Sequence, residues 1–190
     1  MKLFDRIKGL LFDPDNEWLE IEREPHGLRE LFLRYVAVLA LIPALCGFIG
    51  MSLIGIPVSA GTFRVPLLTG LVNALMSYAF SFLLVYAMAF VIDLLAPRFR
   101  GERNFTNAMK LSVYSFTPSW LAGVFLLIPH LRFLGILGLY GLYLLWTGLP
   151  PLMRCPRDRS FLFALSVVIC AIAAIATLAT VQGAFVSLLW

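Results

Sequence analysis

One acid, one ammonium and a run of hydroxyls stand where the rest of the chain is nearly all hydrocarbon. Asp93 is the sole acidic residue inside an apolar stretch, and Lys110 opens the segment KLSVYSFTPSW at residues 110–120. On a helix, Asn107, Lys110, Tyr114 and Thr117 share one face, at steps of three, four and three residues. Ser115 lies beside that face. Pro118 removes an N–H and frees the carbonyl of Tyr114 from its usual bond. An upstream stretch offers a second polar face, Asn73, Ser77 and Ser81, at steps of four. If the two stretches run antiparallel, Ser77 and Ser81 come level with Thr117 and Pro118, and Asp93 comes level with Lys110. The expected geometry is an Asp93–Lys110 pair beneath a seryl and tyrosyl cluster.

Two kinds of chemistry fit such a cluster. Hydroxyls can join helices and repair a proline break, each bond worth about 0.6 to 2 kcal/mol in a bilayer. Alternatively, ionisable groups in hydrocarbon are costly and mark a cavity for an ion, a headgroup or a substrate. A transporter, channel or lipid-translocating protein would work through Asp93, Lys110 and Tyr114. Enzymatic constellations are missing. His26 and His130 fall in loops on opposite sides, and no HExxH, GxSxG or phosphate-binding glycine loop is present. The cysteines Cys46, Cys155 and Cys170 have no metal-ligand or disulfide spacing. Neither a cofactor nor a metal is expected.

The elements that must hold these residues are membrane helices. Of 190 residues, 61% are hydrophobic and 14% charged, against about 25% charged in soluble domains. The first 30 residues are charged throughout and do not read as a secretory signal. Five apolar stretches, at about 31–56, 67–96, 108–128, 131–153 and 161–183, approach or exceed the ~20 residues that cross a bilayer core. Only Pro129-His130 divides the third from the fourth, which predicts a tight helical hairpin. The fold class is thus all-α: a polytopic membrane protein with five transmembrane helices in one bundle.

Thirteen of the fifteen cations fall on one side of that topology. Arg98, Arg100 and Arg103 follow the second span; Arg154, Arg157 and Arg159 follow the fourth. The positive-inside rule puts this side, and the N-terminus, in the cytoplasm, with the C-terminus outside. The modest net charge of +4 then reflects topology and attraction to lipid headgroups rather than nucleic-acid binding.

Residues 1–30 form a separate segment ahead of the 31–190 transmembrane domain. Leu3, Phe4, Ile7, Leu10 and Leu11 recur at helical spacing, the pattern of a short helix in the headgroup plane. Asp13 and Pro14 then start a second helix. Trp18 is expected at the membrane interface, Glu20, Glu22 and Glu24 in water, and Pro25-His26-Gly27 ends the element. Small-residue stripes predict helix contacts: Ala37, Ala40, Ala44 and Gly47; Gly138, Gly141 and Gly148; and Ala171 to Ala176. These stripes are read as holding one compact bundle together, with a homodimer face as the alternative.

The stretches NFTNAMKLSVYSFTPSWLAG and LYGLYLLWTGLPPLM, preceded by FDPDNEW, resemble the bacterial branch of the Yip family of membrane proteins. Tyr114-Ser115, Pro118 and Trp120 carry the resemblance, joined by Trp18, Tyr140, Tyr143, Gly148, Leu149 and Pro150. It covers nearly the whole chain and implies a five-helix domain with a cytoplasmic N-terminus. Eukaryotic relatives act in vesicle traffic and contact prenylated Rab-type GTPases. This sequence lacks their long N-terminal region and its Asp-Leu-Tyr-Gly motif, so that partnership stays with those relatives. The expected role is non-enzymatic: organising membrane, or recruiting a partner, in the bacterial inner membrane. Lipids, another copy of the chain or a cytoplasmic protein are the expected partners.

Overall fold

In the computed structural model, residues 3–24, 27–58 and 61–187 are described. Pro25 and His26, expected to end the second helix, lie outside them, as does Lys2. Helix α1 (Leu3–Phe12) and helix α2 (Pro14–Arg23) form a hairpin turned at Asp13. Pro14 occupies the first turn of α2, where a missing N–H costs nothing. The Asp13 carboxylate accepts from the Asn16 side chain at 2.8 Å rather than capping a backbone amide.

Among the described residues, four helices are long and apolar enough to cross a membrane: α3 (Leu31–Ile54), Leu67–Phe99, α7 (Pro129–Met153) and α8 (Arg157–Ser187). Of the second, Leu67–Leu95 is regular helix, α4, ending in a tighter turn over Ala96–Phe99. The third predicted span is broken instead. Helix α5 (Phe105–Ser115) stops at Phe116, and α6 (Thr117–Ala122) restarts with Pro118 in its first turn before a 3-10 stretch, Gly123–Leu127. Neither piece alone is of spanning length. A two-stranded ribbon, β1 (Ile56–Val58) with β2 (Gly61–Phe63), follows α3.

The expected hairpin at Pro129 is present, and the 3-10 start of α7 returns along α6, where the Ser119 hydroxyl donates to the Gly138 carbonyl at 3.1 Å. The predicted stripe on α3 is also inward: Ala40, Ala44 and Gly47 are buried, and the Tyr78 hydroxyl donates to the Ala37 carbonyl at 3.1 Å. The stripe on α8 is inward only in part: Ala171 packs against the core and Ala174 is partly buried, whereas Ala173 and Ala176 are exposed. The fully buried residues of α8 are near its start, at Phe163, Ala164 and Val167.

At the basic end, α4 and α7 are each followed by an arginine in left-handed conformation, Arg100 (φ 60°) and Arg154 (φ 51°). The two loops brace one another. The Glu102 N–H donates to the Met153 carbonyl at 2.8 Å, and Arg154 pairs with Glu102 at 3.1 Å. The core is densest in α5, where eight consecutive residues, Ala108 to Ser115, are buried.

Candidate functional site

Lys110 and Tyr114 of α5 are not turned toward Asp93 and the seryl face of α4. They receive the N-terminal hairpin. Lys110 Nζ donates to the backbone carbonyls of Ile21 at 2.8 Å and Glu24 at 2.6 Å. These belong to the last turn of α2, whose carbonyls lack helical partners and carry the negative end of the helix dipole. Lys110 therefore caps α2 from below. Asp93 pairs elsewhere, with Arg103 at 3.2 Å. The expected Asp93–Lys110 pair is absent because each ion has a nearer partner, one of them a backbone that has no sequence signature.

Above Lys110, Tyr114 forms the floor of an aromatic box. Its ring meets Tyr35 of α3 edge-on at 4.8 Å and Trp18 of α2 at 6.3 Å. The guanidinium of Arg6, from α1, lies 5.6 Å from the Tyr114 ring centre, within cation–π range. Arg6 is buried and pairs with both Glu17 and Glu24. Two cations, Arg6 and Lys110, are thus matched by two carboxylates, Glu17 and Glu24. Such a group is costly to break, because removing one partner strands a buried charge. Burial acts most strongly on Glu17 and holds its carboxyl above the usual range, against the lowering effect of Arg6. Burial alone would lower Arg6, but Tyr114, Glu17 and Glu24 outweigh it and raise it.

Trp18 is fully buried rather than interfacial, and its indole donates to Thr147 Oγ1 at 3.1 Å. Its socket exists because residue 148 is glycine: a Cβ there would come within 2.7 Å of the indole and 2.6 Å of Leu111. The Tyr140 hydroxyl donates to the Leu11 carbonyl at 3.2 Å, holding the end of α1. Tyr143 sits between Tyr140 and Trp146 at 5.4 and 6.3 Å. Pro150 borders a groove beside Asp15 and Leu19, and Trp120 is buried against Phe116. The residues carrying the family resemblance in α2 and α7 are largely the ones that dock on each other.

The remaining candidates fall apart into other contacts. Thr117 bonds the Tyr35 hydroxyl at 2.9 Å. Ser81 donates to the Ser77 carbonyl at 2.9 Å, while the Ser77 hydroxyl accepts from Gln182 of α8 at 2.8 Å, as does Asn73 Oδ1 at 2.7 Å. The Asn73–Ser77 face thus turns to α8, not α5. What joins α4 to α5 is Ser112, donating to the Val85 carbonyl at 2.9 Å. Pro118 is buried at the break, and Ser115 is buried with its hydroxyl unpartnered. Glu24 is drawn into the ion cluster instead of water, and Phe4 and Phe12 turn outward. Arg98, Arg100 and Arg157 are exposed, and Arg159 is partly buried.

Arg6, Glu17, Tyr35, Ser112, Thr147 and Gln182 were not expected at any site. One signal was available for Arg6: it falls on the face shared by Leu3 and Leu10, the apolar side of α1. Among the described residues no group of His, Cys, Asp and Glu is placed to hold a metal.

A bundle of apolar helices closed at its basic end by an ion-paired hairpin is a polytopic membrane protein with an integral N-terminal plug. The chain belongs to the Yip1 domain family, whose model matches residues 8–178. It is 28% identical over 165 residues to the inner membrane protein YohC of Escherichia coli K12, covering 84% of this chain and 85% of that protein. The YohC of E. coli O6:H1 is similar to the same extent. No solved structure gives a significant match.

Proposed function

We propose that this protein is a non-enzymatic organiser of the bacterial inner membrane, acting through its cytoplasmic face. The broken α5–α6 segment and its 3-10 extension complete a fifth span. The N-terminus, residues 1–30 and the Arg98–Arg103 and Arg154–Arg159 loops face the cytoplasm, the C-terminus the outside. The charge distribution and the resemblance to an inner membrane protein support this placement. The observation that carries the reading is the hairpin's division of labour. Its inner side is anchored by Trp18 and Arg6, while Phe4 (74% exposed) and Phe12 (81% exposed) project outward beside exposed Lys8. Exposed aromatics on an interfacial helix suit insertion among lipid headgroups, to which the one cation beside them, Lys8, adds about 1 kcal/mol where the headgroups are anionic. A rigidly held wedge of this kind presses on its own leaflet.

The transport reading requires Asp93, Lys110 and Tyr114 to share a cavity. Asp93 instead pairs with Arg103, and the hairpin covers the other two. The test is reconstitution in phosphatidylglycerol-containing liposomes. The unaltered chain changes vesicle diameter, and a Phe4→Ser, Phe12→Ser double variant at equal density does not. Ion or lipid flux that disappears in Lys110→Met, with vesicle size equal for both proteins, would overturn the reading.

A further inference from the structure

A groove of about 470 Å³ opens at the basic end of the bundle, between the start of α2, the last turns of α7 and the first turn of α8. Its volume falls within the range of small-ligand sites, about 300 to 1,000 Å³. The hydroxyls and the indole on its walls are already engaged. Trp146 Nε1 donates to Ser160 Oγ at 3.0 Å, and Ser160 Oγ donates to the Arg157 carbonyl at 2.8 Å. Thr147 Oγ1 accepts from Trp18 and donates within its own helix. Two charges are not engaged. Asp15 and Arg157 line the groove from α2 and α8, and both are exposed. Among the described residues neither makes an ion pair, with the other or with a third residue.

The wall supplied by α7 carries a second feature. Pro150 and Pro151 stand inside this helix and bring no N–H. Those two N–H groups would otherwise bond the carbonyls of Trp146 and Thr147, four residues back. The Thr147 carbonyl also loses the tighter bond from three residues ahead, because that donor would be Pro150. All four residues line the groove. Helix carbonyls point toward the C-terminal end, so the space beside the two stripped carbonyls is the groove itself. A carbonyl short of donors at the edge of a bilayer favours a ligand that brings N–H groups.

These features select opposite charges at two points. The Arg157 guanidinium suits a phosphate, which it can hold through two parallel N–H bonds. Asp15 and the stripped carbonyls only accept, so they suit a cation with several N–H donors. Leu19, 45% exposed, and the two proline rings add apolar surface for a glycerol backbone and the first acyl carbons. On the topology proposed above, on which this inference rests, the groove lies level with the cytoplasmic headgroups.

We propose that the groove binds one aminophospholipid of the phosphatidylethanolamine class, Arg157 donating to its phosphate while Asp15 and the Thr147 carbonyl accept from its primary ammonium. The test titrates the full chain in a nonionic detergent with lipids of identical dioleoyl chains and counts adducts by native mass spectrometry. Phosphatidylethanolamine gives one saturable adduct. Phosphatidylcholine has the same net charge without N–H donors, and phosphatidylglycerol lacks the cation; both bind about tenfold more weakly. Asp15→Asn erases that preference, and Arg157→Gln weakens all three lipids. Pro151→Ala keeps every charge, returns an N–H to the Thr147 carbonyl and raises the melting temperature, yet weakens phosphatidylethanolamine about fivefold. The proposal is overturned if phosphatidylcholine binds as tightly, if adducts accumulate without saturating, or if Asp15→Asn or Pro151→Ala binds phosphatidylethanolamine as the parent does. Detergent offers no bilayer to shape, so a missing adduct overturns this site and leaves the organiser reading standing.

Discussion

Replacing Trp18 with alanine should release the N-terminal hairpin while leaving the bundle assembled. Trp18 is fully buried, donates to Thr147 at 3.1 Å and meets Tyr114 edge-on. A tryptophan side chain buries about 150 to 250 Å². At ~25 cal/mol per Å² that is worth about 4 to 6 kcal/mol, and Trp→Ala changes in packed sites cost about 3 to 5 kcal/mol. A loss of about 4 kcal/mol shifts the docking equilibrium roughly a thousandfold. Hydrogen–deuterium exchange in nanodiscs reads this directly: protection over Pro14–Arg23 should fall by about that factor, with α4 unchanged. Trp18→Phe separates the indole N–H from the ring. Thr147 still donates to the carbonyls of Tyr143 and Leu144, so only one hydrogen bond is lost, about 1 kcal/mol or fivefold. If Trp18→Ala raises exchange in α2 by less than tenfold, Trp18 is not the anchor. If α4 exchanges faster to the same degree, the hairpin is not a separate unit.

Asp93 and Lys110 should behave as unrelated sites. Lys110→Met uncaps α2 and increases its exchange strongly, whereas Asp93→Asn loses only a pair to Arg103, whose side chain is 58% exposed, worth at most about 1 kcal/mol. A double-mutant cycle should give a coupling near zero, and a coupling above about 1 kcal/mol would restore the pairing rejected above. Docking should also depend on pH. Because burial raises the Glu17 carboxyl in the docked state, docking binds a proton more tightly than release does. Its contribution is fully present below the ordinary carboxylate range and is lost as pH rises through the raised value. Protection of α2, corrected for the intrinsic pH dependence of amide exchange, should therefore rise on mild acidification, and Glu17→Gln should flatten the response; lower protection at lower pH in the parent would contradict it.

Much of the helical framework was legible in the sequence, because long apolar runs have one outcome. The predicted spans beginning at Leu31 and Leu67 match α3 and α4 to within a few residues. Pro118 correctly marked a break, and Pro129 a hairpin. The site was less legible. The Trp18 socket is made by Thr147 and Gly148, far along the chain, and nothing local distinguishes a socketed indole from an interfacial one. Lys110 is satisfied by main-chain carbonyls, which every residue possesses. Helical spacing correctly gathered Asn73 and Ser77 on one face. It could not say which neighbour that face meets, and Gln182 of α8 answered it.

The anchor of the hairpin also sets a timetable. The contact between Trp18 and Thr147 joins residues 129 positions apart. At about 5 to 20 residues per second on the ribosome, the second partner is made roughly 6 to 25 s after the first. Throughout that interval Arg6 can pair with Glu17 and Glu24 inside the hairpin, but Trp18 lacks its acceptor and its socket, so the nascent chain carries an adhesive, incompletely docked leader. Any factor that guards newborn membrane proteins would meet this leader first, and completion of the fourth apolar run would be the event that retires it.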